Sequence, residues 1–177
     1  AYHAITLGWG PGLRDVARGQ DLMRCMTALQ PRLLVENRVQ LRWETFAFEA
    51  LDAIAEALTG PFLPSIAFND HTSMTMRAYD VAIQDRGFEL SPDFSIASLD
   101  DERMKARTSK KAQRSGLSDE DYIALLAQVW DRRGEVPAMI AKVAEMGRAA
   151  GAPMLSHDDT TPETRDWFRN IGAGVAE

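Results

Sequence analysis

The chain has 177 residues, of which 45% are hydrophobic and 26% charged, and its formal net charge is -6 at pH 7. That size and balance describe one globular domain over residues 1–177 with a full core, not a disordered or fibrous chain. Its locally basic stretch, Lys105 to Arg114, is flanked by acidic residues, which argues against a nucleic-acid partner, and no apolar run approaches the roughly 20 residues of a membrane-spanning helix.

Taken in order, Ala1 to Leu7 reads as a strand already under way, with Ala4-Ile5-Thr6-Leu7 as its buried part and His3 structural or exposed. Gly8-Trp9-Gly10-Pro11-Gly12 is loop chemistry, but not a phosphate loop: no Lys-Ser/Thr pair follows, and Pro11 lacks an N–H. Arg18 to Gln30 carries a helical stripe of Leu22, Met23, Met26 and Leu29, which Gln30-Pro31 ends. Cys25 lies beside that stripe and reads as a buried, inert thiol. As the chain's one cysteine it can form no internal disulfide, which fits a reducing, cytoplasmic setting.

Arg38 to Glu44 alternates and is β-rich, so it predicts a strand with charged residues toward its carboxyl end. Phe48, Leu51, Ile54, Ala55 and Leu58 follow at helical spacing until Thr59-Gly60-Pro61. Phe62 to Phe68 is a continuous apolar run, as in a parallel strand covered on both faces, and Asn69-Asp70-His71-Thr72 ends it in a polar knot. Between Met74 and Arg114 the pattern suggests a loop at Ser91-Pro92-Asp93 and a solvated helix across the mixed charges of Asp100 to Lys111.

Ser118 caps a helix with an acidic first turn and an apolar face of Tyr122, Leu125, Leu126, Val129 and Trp130. Gly134 breaks the run. Pro137 reopens it, Met139, Ile140, Val143 and Met146 continue it, and Gly151 closes it. Pro153-Met154-Leu155 is a short strand that stops at a second polar knot, Ser156-His157-Asp158-Asp159. Thr161 and Pro162 then suit the cap and first position of a helix reaching Ile171. Gly172 to Glu177 looks like a further strand beginning, so the chain reads as cut at both ends.

The order β-α-β-α-β-α-α-β-α-β predicts the α/β class: a parallel sheet with crossover helices. Three strands end in residues of metal-ligand type, namely Glu44, His71 and His157. At the carboxyl ends of parallel strands such residues can converge, and imidazole with carboxylate suits zinc or a similar divalent ion. Each residue alone would pass as an ordinary polar strand end.

The run Arg38-x-x-Leu41-Arg42-x-Glu44, then Asp70-His71, then Ser156-His157-Asp158-Asp159-Thr160-Thr161-Pro162-Glu163, resembles the amidohydrolase superfamily, and within it the PhnM-type diphosphatases of phosphonate catabolism. The helix pair from Leu117 onward matches as well. The resemblance covers nearly the whole chain but only the middle of the family's barrel.

It implies part of a distorted (β/α)8 TIM-like barrel holding one or two divalent ions, zinc above all. It makes Glu44 the carboxylate ligand and His71 and His157 the imidazole ligands. Asp158 and Asp159 become catalytic residues whose work is to orient His157, and Arg42, with Arg77 near the motifs, becomes a phosphate contact. The implied reaction is metal-dependent hydrolysis releasing pyrophosphate from a ribose 1-phosphonate 5-triphosphate. Alternatives are an amidohydrolase acting on a C–N bond and a degenerate relative that binds without turnover. The expected partner is a small phosphorylated substrate, and a homo-oligomer is compatible with the reading.

Two positions depart from the family's pattern. Gln40 stands where the family has His, and Thr72-Ser73-Met74 stands where it has a Pro-Gly turn. The first-strand His pair and last-strand aspartate have no counterpart in the sequence. Because the family's barrel runs to about 250 residues, the 177 residues are expected to bind metal weakly and hydrolyse little by themselves.

Overall fold

A computed structural model describes residues 1–78, 94–159 and 161–176. Its centre is one parallel sheet in the order β1-β2-β3-β4-β5. The strands are β1 (Tyr2–Leu7), β2 (Arg38–Glu44), β3 (Ser65–Asn69), β4 (Met154–His157) and the two-residue β5 (Val175–Ala176). Each strand pairs with the next in sequence, as crossover units that advance steadily in one direction require. The expected parallel pairing of β2 with β3 holds.

Register decides what each face carries. Leu41 lies opposite Ile5 and Ile66, and Trp43 lies opposite Leu7 and Phe68. Ile66 and Phe68 in turn lie opposite Met154 and Ser156. These residues form a buried face, on which the Trp43, Phe68 and Phe168 rings meet with centroids 5.9 and 5.7 Å apart. Alternation of side chains along a strand sends Gln40, Arg42 and Glu44 to the other face. All five residues of β3 are buried, in keeping with its continuous apolar run.

The helices are α1 (Val16–Leu29), α2 (Leu51–Thr59), α3 (His71–Met76), α4 (Glu102–Ser115), α5 (Asp119–Asp131), α6 (Val136–Ala150) and α7 (Pro162–Asn170). Ser118 and Thr161 cap α5 and α7 as expected, and Gly151 closes α6 with φ 70°. Gly147 lets α6 lie close to the sheet: a Cβ there would stand 2.9 Å from the Met154 sulfur and 3.2 Å from Ile66 Cδ1. Among the described residues, no helix is long and apolar enough to cross a membrane.

Three expectations change. First, Cys25 is exposed rather than buried. Helix α1 rests on the sheet through buried Gly19 with Met23 and Met26 half-buried, which rotates Leu22, Cys25 and Leu29 outward. Leu22 is 51% and Leu29 45% exposed. A Cβ on Gly19 would collide with Leu7, so this close approach, not the leucine stripe, sets the helix's orientation.

Second, the polar knot that ends the β3 run opens a helix. Asp70 caps α3 by accepting from Ser73 N at 2.8 Å, and His71 opens the helix. Third, among the described residues four α-helices lie between β3 and β4, where the predicted order has two and the residue pattern adds a solvated helix over Asp100 to Lys111. The expected loop at Ser91-Pro92-Asp93 lies outside the described residues, as do Thr160 and Glu177.

Two measurements check this packing. Phe68→Ala should cost about 3–5 kcal/mol in urea unfolding, as loss of a fully buried ring does. In the native protein Cys25 should react stoichiometrically with a disulfide reagent without denaturant; a protected thiol would contradict the orientation of α1.

Candidate metal centre

The register of the sheet assembles the cluster. Glu44 lies opposite Asn69, and Asn69 lies opposite His157, so the ends of β2, β3 and β4 form one row. His71 follows two residues after that row, at the start of α3. Asp158 follows His157 with φ 60°, the one left-handed non-glycine backbone among the described residues. Aspartate tolerates that region better than most residues, and here it turns the carboxylate back over the strand end.

Both ring nitrogens of His71 meet carboxylates. Nδ1 hydrogen-bonds Glu44 Oε1 and Nε2 lies 2.9 Å from Asp158 Oδ2, while the His71 backbone N–H donates to Glu44 Oε2 at 3.3 Å. The Glu44 hydrogen bond raises the His71 pKa against the lowering effect of burial, and the charges of Glu44 and Asp158 add to the rise. A ring that donates from both nitrogens is an imidazolium.

His157 is held differently. Its Nδ1 lies 2.6 Å from Asp158 Oδ2, and its Nε2 lies 2.7 Å from Arg42 Nη2. A guanidinium can only donate, so Arg42 presents a donor to this ring, 2.7 Å from Nε2 and 3.5 Å from Nδ1, while Nδ1 also faces Asp158. Arg42 Nη2 also donates to Asn69 Oδ1 at 3.3 Å, and Asn69 Nδ2 donates to Ala67 O at 2.9 Å.

One ligand atom each from His71, His157 and Asp158 can be chosen so that all three lie within 4.8 Å of one another. Two imidazoles and a carboxylate form a donor set that suits zinc and related divalent ions. The expected trio of Glu44, His71 and His157 is thus brought together, but Asp158 joins the two histidines and Glu44 backs His71. A carboxylate behind a ligating imidazole fixes the ring and strengthens it as a donor, the task the sequence reading gave to Asp158.

Two expected residues lie elsewhere. Among the described residues, Asp159 makes no hydrogen bond to His157. Its Oδ2 accepts from Ser156 Oγ at 2.5 Å and lies 3.9 Å from Arg165 Nε, so it anchors the turn between β4 and α7. Arg77 is 5% exposed, with its guanidinium 5.0 Å from the centre of the Phe94 ring. It is packed under the 94–98 segment rather than presented to a substrate.

Other residues near Glu44 escaped the sequence reading. Lys111 of α4 donates to Thr75 Oγ1 at 2.7 Å. Burial lowers its pKa with help from Arg107, while Glu44 opposes the shift. Burial and then Glu44 push Tyr122 up to about 12. Trp9 Nε1 donates to Thr72 Oγ1 at 2.9 Å and stacks obliquely on Tyr122. The Lys111 signal was present in the sequence only as a cation in a charged helix, indistinguishable from its solvated neighbours.

Comparison of the chain with family models, with curated proteins and with solved structures finds no match.

The raised pKa of His71 sets the sign of a pH dependence. Its contribution to stability is complete below the unfolded-state value of about 6.5 and is lost as pH rises through the higher folded value. Chelator-treated wild type should therefore exceed His71→Gln in urea stability near pH 6, and the gap should shrink toward pH 9. A gap that grows with pH would contradict an imidazolium held by Glu44 and Asp158.

Proposed function

We propose that the chain contributes βα units to a distorted (β/α)8 barrel of the amidohydrolase type and that it serves metal-dependent hydrolysis. The observation that carries this reading is the convergence of ligand atoms from His71, His157 and Asp158 within 4.8 Å at the carboxyl end of a parallel sheet. Successive strands that are neighbours in space agree with a barrel and not with a doubly wound sheet, whose strand order reverses.

In this reading His71, His157 and Asp158 hold a divalent ion, with zinc the best chemical fit, and Glu44 orients His71. When bound, such an ion lowers the pKa of a coordinated water to about 7 and supplies the nucleophile. Glu44 stands close enough to His71 Nδ1 to serve as a ligand instead, should the ion sit on that nitrogen. Arg42, 2.7 Å from His157, places a fixed positive charge where an anionic substrate group would pass.

The substrate follows from the motif resemblance: a ribose triphosphate bearing a phosphonate, cleaved to release pyrophosphate. The burial of Arg77 favours a second reading with the same ion, hydrolysis of a C–N bond, because it removes one of the two arginines assigned to phosphate.

Metal analysis and hydrolysis assays on the full natural polypeptide test both readings. His157→Ala should lose bound metal and at least about 100-fold in turnover, because it removes a ligand. Glu44→Gln should weaken metal binding about 10–100-fold, as loss of a carboxylate that orients a ligand does. A triphosphate ester and a cyclic amide offered side by side separate the substrates. Full metal content and activity in His157→Ala would refute the reading.

A further inference from the structure

Helix α3 carries His71 in its first position, yet it has only six residues. A helix that short does not hold itself together in water. Its placement therefore depends on what grips it: Ala97 N donates to Met76 O at 2.8 Å, Trp9 holds Thr72, and α4 supplies two side chains.

Arg107 of α4 donates through Nη1 to Arg77 O at 3.0 Å and through Nη2 to Met74 O at 2.6 Å, so it closes the carboxyl end of α3. One turn further along, Lys111 Nζ donates to Thr75 Oγ1 at 2.7 Å. Thr75 Oγ1 in turn donates to the backbone carbonyl of His71 at 2.6 Å. Met104, Thr108 and Ala112, on the same side of α4, are buried. Thr75 is 5% exposed, so this relay runs through the interior, where hydrogen bonds in series polarise one another.

We infer that Lys111 is a positioning residue for the metal centre, acting through Thr75 on the backbone of His71. The inference rests on the reading of His71 as a metal ligand and goes beyond it by assigning a role to α4, which supplies none of the cluster's side chains. Lys111 touches no ligand side chain. It fixes the turn of backbone from which the His71 ring projects, and Glu44 and Asp158 then set the ring's rotation. Among the described residues, Thr75 is the one hydrogen-bond partner of its ammonium group.

The test uses Lys111→Met, Thr75→Val, Thr75→Ser and the double variant Lys111→Met/Thr75→Val. Amide hydrogen exchange over Met74 to Arg77, in chelator-treated protein, reads the brace without metal. Cobalt(II) titration followed by visible absorption reads its consequence.

Lys111→Met and Thr75→Val should each speed α3 exchange and weaken cobalt binding about tenfold, the low end for groups that support a ligand. The double variant should match either single within twofold, because both cut one relay. Thr75→Ser keeps the hydroxyl and should retain wild-type values. Unchanged exchange in both single variants would overturn the inference. So would faster exchange with unchanged cobalt affinity, since the brace would then be structural only. His71→Ala separates the two layers. If it abolishes cobalt binding while Lys111→Met leaves it intact, the metal reading stands and the role of Lys111 falls. All variants are made in the full natural polypeptide, and wild-type polypeptide that takes up no cobalt overturns both.

Discussion

Parallel register among β2, β3 and β4 is the constraint on which the candidate site depends. It sets Glu44, Asn69 and His157 side by side at one end of the sheet. Slipping β4 by one residue would turn His157 onto the face that packs against the helices and bring Ser156 out in its place. The buried face resists such a slip, because Leu41, Trp43, Ile66 and Phe68 are all nearly inaccessible there. The hydrophobic face thus specifies the polar one: the energy that holds the row in place comes from side chains that never touch it.

Charge arrangement inside the row follows from burial. The Glu44 side chain is only 13% exposed, and a carboxylate so enclosed needs donors. His71 supplies two, its ring and its backbone N–H. The Asp158 carboxylate, more exposed, bridges the two histidines from the outside. Arg42 and Lys111 add positive charge on the β2 and α4 sides, so the cluster carries opposite charges in close quarters. Taking up a cation would exchange protons for metal at the same atoms, which explains why the same side chains can satisfy each other and still be proposed as ligands.

Much of the fold was legible. The alternating and continuous apolar runs marked β1 to β4, and Ser118, Thr161 and Gly151 marked helix ends through chemistry local to each position. What was missed depends on contacts between distant segments. The orientation of α1 follows from Gly19 meeting Leu7, so a leucine stripe pointed the wrong way. Helix α3 is shorter than two turns and has no period to detect; Asp70 as its cap was the available signal. The neighbours Asp158 and Asp159 look alike in sequence. One positive φ sends the first toward the histidines, while the second turns to Ser156 and Arg165. Glu44, His71 and His157 could be placed near one another because strand ends can be read from pattern, whereas the partner of each ring nitrogen cannot.

The most direct test of the central claim is anomalous diffraction at the zinc edge from crystals grown with zinc. The account predicts a peak bonded to His71 and His157 and to a carboxylate oxygen of Asp158, at about 2.0–2.2 Å from each. Zinc found only elsewhere on the protein, with His71 and His157 still bound to Glu44, Asp158 and Arg42, would contradict it.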